Sequence, residues 1–226
     1  MTIKYLGQSS FQIIFNQTKL IFDPFISPNE LAKDIDIDTL EADYILLSHG
    51  HADHVFDAER IASRNKSTII SNYEVVSWYE QKGIKGHPMN LGGKWKFDFG
   101  TVKYVQAVHS SMLPDGSFGG ASGGFVIWDD NKSFYFAGDT ALTLDMKLIP
   151  MTCPQLDFAI LPIGDNFTMG YEDALHAAEF IQCDTIIGCH FDTFGYIKID
   201  HTDAVKAFEN AGKELKLLQI GQQVDL

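Results

Sequence analysis

Six consecutive residues, His49-Gly50-His51-Ala52-Asp53-His54, limit what this chain can fold into more than any other stretch. Four side chains able to bind a metal ion within six positions fit neither an ordinary apolar core nor a solvated surface. They follow the apolar run Tyr44-Ile45-Leu46-Leu47 and Ser48, which is short, bounded by polar residues and rich in β-formers, and so reads as a buried strand. In extended backbone the side chains at i and i+2 point the same way, so His49 and His51 can face one ion. A helix is predicted from Val55 to about Arg64, with Ala58, Ile61 and Ala62 on one face. The turn into it re-aims Asp53 and His54 toward a second ion beside the first.

The rest of the composition narrows the setting. With 226 residues, 45% hydrophobic and 21% charged, the chain has the make-up of a soluble globular enzyme. We read residues 1–226 as one domain, since no linker or low-complexity segment divides them. No apolar run approaches the roughly 20 residues that span a bilayer, and no secretory h-region follows Met1. Cys153, Cys183 and Cys189 are odd in number and widely spaced, which implies no disulfide framework. A cytoplasmic location and no membrane partner are therefore expected. The formal charge is −13 with no basic stripe, and two bound dications would leave it clearly acidic, so nucleic acid is not an expected partner. A homo-oligomer is compatible with the sequence.

Further strands are expected at Ile3–Leu6, Ser10–Phe15 and Lys19–Phe22, the last closed by Asp23-Pro24, and at Ser67–Ser71. Helix Tyr73–Lys82 is followed by a hairpin of Trp95–Phe99 and Val102–Val108, which delivers His109. A glycine-rich loop spans residues 115–124. A second hairpin, Phe125–Trp128 with Ser133–Ala137, leads to Gly138-Asp139-Thr140. Strand Phe158–Leu161 precedes helix Glu172–Ile181, and Thr185–Ile187 leads through Gly188-Cys189 to His190. A last helix runs from Thr202 to Gly212, with Asp200 or Thr202 as its cap, and Leu215–Leu218 with Val224 closes the sheet. Two rounds of strands followed by strand–helix units predict a pseudo-symmetric layered α/β protein with candidate ligands just past strand ends.

In this order, HGHADH, His109-Ser110-Ser111, Gly138-Asp139-Thr140 and His190 resemble the metallo-β-lactamase superfamily. Softer strings extend the likeness to bacterial metal-dependent hydrolases related to L-ascorbate-6-phosphate lactonases. These are Tyr5-Leu6-Gly7-Gln8-Ser9-Ser10-Phe11, the segment from Leu161 to Gly170, and Ile197-Lys198-Ile199-Asp200. The resemblance implies a four-layer αββα sandwich with a binuclear site at one edge. His49, His51 and His109 would hold the first ion, Asp53, His54 and His190 the second, and Asp139 would bridge them. Three histidines leave a tetrahedral position open, as catalytic zinc sites require. Zinc heads the expected ions, and manganese and iron suit the same donors.

The implied activity is metal-dependent hydrolysis with a metal-bridging hydroxide as nucleophile, Asp53 being the carboxylate that orients it and shuttles its proton. By analogy the substrate is a small anion, a lactone or ester of a phosphorylated sugar acid. A small phosphodiester, or a non-catalytic metal-containing binding or regulatory role, is the rival reading. Asn166 and Thr168, just past a strand end, are expected to line the substrate pocket. Relatives often carry histidine where this chain has Gln8, which keeps hydrogen-bonding capacity but no charge. Cys189 is expected to face away from His190 into the core. His87, His176 and His201 are read as packing or surface residues.

Overall fold

Each of two seven-stranded sheets changes from antiparallel to parallel pairing halfway across, in the computed structural model that describes residues 1–226. In the first, β1 (Thr2–Gly7), β2 (Ser10–Phe15) and β3 (Thr18–Phe22) form an antiparallel meander. Strands β4 (Tyr44–Leu46), β5 (Thr68–Asn72) and β6 (Gly86–Met89) then add in parallel. Their crossovers carry α1 (Ala52–Val55), α2 (Ala58–Asn65) and α3 (Tyr73–Glu80). The second sheet repeats the plan. Strands β7 (Lys94–Lys96), β8 (Thr101–Gln106), β9 (Gly123–Trp128) and β10 (Ser133–Phe136) are antiparallel. Strands β11 (Phe158–Pro162), β12 (Thr185–Cys189) and β13 (Glu214–Lys216) follow in parallel, connected through α4 (Ile149–Thr152), α5 (Tyr171–Phe180) and α6 (His201–Asn210). The chain then returns to the first sheet, where β14 (Gln223–Asp225) pairs with β1.

Three apolar layers hold this together. Between the sheets lies an aromatic core, with Phe11, Phe15 and Phe22 facing Phe125, Phe134, Phe136 and Phe158. Phe134 and Phe158 stack with centroids 5.1 Å apart. Outside the first sheet, α2 and α3 bury Ile61, Val75, Val76 and Tyr79. Outside the second, α5 lays Ala174, Ala177 and Ala178 beside Tyr135 and Leu161. The order is thus helix, sheet, sheet, helix, the αββα sandwich expected. The inner parallel strands are buried on both faces, so β11 reads as the unbroken run Phe-Ala-Ile-Leu-Pro. No helix is long and apolar enough to cross a membrane.

Several expected boundaries move. The single helix from Val55 becomes α1 and α2, separated at Asp57, whose carboxylate is taken by the backbone N–H groups of Ile26 and Ser27 and the Ser27 hydroxyl. His87 and Pro88, given no strand in the sequence reading, lie in β6; proline is tolerated because β6 is an edge. The end of the glycine-rich loop is strand, β9 starting at Gly123, where a Cβ would lie 2.5 Å from the Tyr104 ring. Leu215 and Val224 belong to different sheets. The short helical stretch from Leu144 to Thr152 has no counterpart in the sequence reading. Asp200, not Thr202, caps α6, accepting from the N–H groups of Thr202 and Asp203.

Candidate metal centre

All seven candidate ligands converge on one edge of the sandwich, each carried by the loop or helix start after a strand. His49, His51, Asp53 and His54 follow β4, His109 follows β8, Asp139 follows β10 and His190 follows β12. They sort into two groups, His49, His51 and His109 in one, and Asp53, His54, Asp139 and His190 in the other, the donor atoms within each lying within 4.8 Å of one another. His51 is extended (φ −64°, ψ 147°) and precedes the first turn of α1, which carries Asp53 and His54. The helix therefore begins earlier than predicted, and its first turn performs the re-aiming. Two glycines let the loops close in. A Cβ at Gly138 (φ +62°) would sit 2.5 Å from that of Ser48, and one at Gly164 would lie 2.0 Å from the His190 carbonyl oxygen.

Ring orientations are set from behind. The Asp23 carboxylate accepts from His54 Nδ1 (2.7 Å), the Ser48 hydroxyl (2.5 Å) and the Ser48 backbone N–H (2.7 Å). With its own proton committed to Asp23, Ser48 Oγ accepts from His49 Nδ1 at 2.9 Å. Both rings thus carry their proton on Nδ1 and turn Nε2 toward the site. Although Asp23, His49 and His54 also lie close enough to form a ligand group, the Asp23 oxygens are consumed by these bonds. Asp23 positions; it does not ligate. Gln8, fully buried, donates from Nε2 to Asp53 Oδ2 at 3.1 Å, and its carbonyl accepts the His190 N–H at 2.9 Å.

The donor set fits divalent metal. Buried His49 Nε2, His54 Nε2 and Asp139 Oδ1 have no hydrogen-bond partner, an arrangement rarely left uncompensated. Asp139 Oδ2 lies 3.0 Å from His190 Nε2, 3.2 Å from His54 Nε2 and 3.7 Å from His109 Nε2. Asp53 Oδ2 lies 3.5 Å from both His54 and His190 Nε2. Two donors about 2.0–2.1 Å from one tetrahedral ion are about 3.3 Å apart, so these separations bracket those of shared ligands.

Charge states favour binding. Burial, helped by His54, holds His49 well below the usual histidine range, and burial lowers His51 and His109, so all three offer lone pairs. Burial would raise Asp53 and Asp139, but His54 and His190 outweigh it and keep both ionised. Burial likewise opposes charge on His54 and His190, yet Asp139 and its neighbours prevail, raising His54 well above its usual value and His190 to about 9.

A cavity of about 930 Å³ opens over the cluster, lined on one side by His51, Asp53, His109, Ser110, Asp139 and His190. The rest of the lining is dominated by an aromatic wall of Phe25, Phe167, Phe194 and Tyr196, completed by Ala52, Thr193 and Gly195. Asn166 and Thr168 do not line it, contrary to expectation. Asp165 (φ +61°) and Asn166 (φ +56°) both adopt left-handed backbone, and the turn presents Phe167 to the cavity, while the Thr168 hydroxyl bonds the Met169 carbonyl. Cys189 is buried in the inter-sheet core, as expected, but not by strand alternation alone: β12 ends there, and His190 leaves in left-handed backbone (φ +56°). His87, His176 and His201 lie outside the cluster, His87 packing on Trp95 and Phe97. Asp23, Ser48 and the aromatic wall escaped the sequence reading. The signals present were Asp23-Pro24 at a strand end and the aromatic density after His190.

Comparison with known proteins finds relatives along the whole chain. The profile of the beta-lactamase superfamily domain matches residues 18–191. A "UPF0173 metal-dependent hydrolase" of Christiangramia forsetii is 56% identical over 227 residues, covering all of both chains. One of Staphylococcus carnosus is 46% identical over 99% of each. Among solved structures, a metallo hydrolase from the hyperthermophilic archaeon Ignicoccus hospitalis superposes with a TM-score of 0.89 at 30% identity, over 99% of this chain and 97% of that one.

Proposed function

The chain belongs to the metallo-β-lactamase superfamily as a metal-dependent hydrolase, and from that premise we propose that its seven-residue cluster holds two divalent ions. His49, His51 and His109 take one, Asp53, His54 and His190 the other, and Asp139 spans both. The observation that carries this reading is the position of Asp139 Oδ2, within 3.0–3.7 Å of histidines from both groups. Zinc suits the donors best, and manganese or iron could replace it.

When bound, such ions polarise a carbonyl or phosphoryl oxygen and lower the pKa of water. The chain's residues supply positioning and proton transfer. Gln8 pins one oxygen of Asp53, leaving the other to orient the attacking water and take its proton. Asp23 and Ser48 occupy the Nδ1 atoms of His54 and His49, so that Nε2 of each ring faces the metal positions. Ser110 Oγ, 3.3 Å from His51 Nε2, borders the space left for substrate.

The substrate is a small molecule, as the cavity's dimensions suit. A lactone or ester is the favoured class and a phosphodiester the rival. Nucleic acid has no part in this reading, given a net charge of −13 and no basic stripe. Metal analysis of protein purified without chelators, followed by turnover of lactones, esters and phosphodiesters by the native chain and Asp139→Asn, tests the proposal. Metal-dependent turnover lost in the variant supports it; a metal-loaded protein inert on all three classes refutes it.

A further inference from the structure

The cavity has two unlike walls. On one stand the polar residues of the cluster, from buried Asp139 and His190 to half-buried His51, Asp53 and His109. On the other stand Phe25, Phe167, Phe194 and Tyr196, with no lysine or arginine anywhere in the lining. The sequence-based analogy favours a phosphorylated substrate, and a phosphate remote from the reacting carbonyl normally finds its own arginine, lysine or helix N-terminus. Here it would face aromatic rings. Burying that charge against them unpaired is costly, whereas apolar surface placed there is stabilised in proportion to the area removed from water.

The wall is also tied to the site's own supports. Phe25 follows the Asp23-Pro24 corner, and Asp23 orients His54. Phe194 and Tyr196 lie on the loop leaving His190, folded back by the Asp192 N–H to Ile197 carbonyl bond. Phe167 rides on the turn after β11. The rings meet in pairs, Phe25 with Phe194 at 6.1 Å and Phe167 edge-on to Tyr196 at 6.2 Å. Yet Phe167 and Tyr196 remain 49% and 79% exposed, beside candidate ligands of which Asp139 and His190 are buried and His51, Asp53 and His109 half-buried. Apolar area left open at the mouth of a polar site is where a ligand's apolar group gains most.

We propose that this aromatic wall selects uncharged lactones or esters bearing an aromatic or extended apolar group, not phosphorylated sugar derivatives. The substituent lies against Phe194 and Tyr196 while the acyl carbon sits over the cluster. The oxygen of water bonds to that carbon as the acyl–oxygen bond breaks. One proton passes, by way of Asp53, to the departing oxygen, and the other is released from the carboxylic acid formed. Phe194 and Tyr196 determine specificity and take no part in proton transfer. This inference rests on the hydrolase reading above.

The test uses metal-loaded full-length protein and three lactones with the same five-membered ring: γ-butyrolactone, γ-phenyl-γ-butyrolactone and the phosphate monoester of γ-(hydroxymethyl)-γ-butyrolactone. Binding of the inert lactam 5-phenyl-2-pyrrolidinone against 2-pyrrolidinone, measured by calorimetry, gives a readout independent of turnover. The phenyl lactone is expected to show kcat/KM at least tenfold above the parent, and the phenyl lactam to bind at least tenfold tighter. Phe194→Ala and Tyr196→Ala should bring both ratios toward one, mainly through KM and Kd, as lost uniform binding does. His176→Ala, outside the cavity, should keep the native ratios. Better turnover of the phosphorylated lactone, or equal turnover of all three with no lactam preference, would overturn the inference while leaving the hydrolase reading intact. Tight phenyl-lactam binding sensitive to Phe194→Ala with no turnover of any lactone would support the aromatic site and count against the hydrolase reading.

Discussion

The Asp23 carboxylate and the His54 imidazole, both sealed from solvent, are joined by a 2.7 Å hydrogen bond from Nδ1 to Oδ2, and His54 Nε2 emerges 3.2 Å from Asp139. Asp23 lies 31 residues from His54 in sequence and settles which nitrogen is available.

Replacing Asp23 by Ala should therefore weaken metal binding without removing a ligand. Carboxylates behind ligating histidines typically contribute 10- to 100-fold in affinity. The variant also strands the Ser48 N–H, costing about 1–3 kcal/mol of stability. Competition with a chromophoric chelator, at a temperature where the variant remains folded, gives the affinity. An unchanged value would show that Asp23 serves the fold alone.

Close to two metal equivalents per chain should bind, because the seven donors exceed what one tetrahedral ion accepts. Asp139→Asn should lower hydrolysis by more than about 100-fold, since even carboxylates one step removed are worth that much. His176→Ala is the control, losing only an exposed 3.7 Å contact with Glu179. Elemental analysis at one equivalent or less in metal-replete buffer would contradict the binuclear reading.

Metal affinity should rise with pH across the neutral range. His190 keeps its proton to about 9 because Asp139 and Asp53 outweigh the penalty of burial, and a bound cation must displace it. Each displaced proton makes affinity climb about tenfold per pH unit. The same shift affects metal-free stability. The unfolded chain releases this proton near 6.5, so the stabilisation is complete below that pH and is lost as pH rises through about 9. His49, His51 and His109, whose values are lowered, are neutral in both states between those limits and do not reverse the trend. Chelator competition and thermal melts at pH 7, 8 and 9 should show affinity and metal-free Tm moving in opposite directions; a flat Tm would contradict the assignment.

Cys189→Ala should keep both metals and most activity, at a cost on the order of 1 kcal/mol in stability. The thiol is buried between the sheets, and burial holds it well above the usual thiol range. A sulfur-to-metal charge-transfer band in cobalt-substituted protein would show that Cys189 ligates after all.

The convergence of the candidate ligands was legible because their spacing is local: HGHADH, and single His or Asp residues just past strands, depend on the chain's own turn. Asp23 was not, since Asp-Pro at the end of a strand is equally a stop signal, and its meaning arises only when β3 and β4 lie side by side. The Asn166 and Thr168 expectation failed for a related reason. Two successive left-handed residues turn the backbone, so the side chain between the two expected positions, Phe167, enters the cavity. The αββα order was readable from element succession, but the separation of β13 from β14 was not, because edge pairing leaves little trace in strands of three residues.

The two ligand-bearing arms hang from different sheets, His49 to His54 from the first and His109, Asp139 and His190 from the second. During synthesis the early arm emerges with only half a coordination sphere, and the chain cannot close the site until β12 has been made and docked. On the proposed two-ion reading, metal capture would report on completed assembly of the sandwich. It also makes the aromatic seam between the sheets a remote control on affinity: trimming Phe22 or Phe134, neither of them a candidate ligand, should loosen the distance across which the two arms must agree.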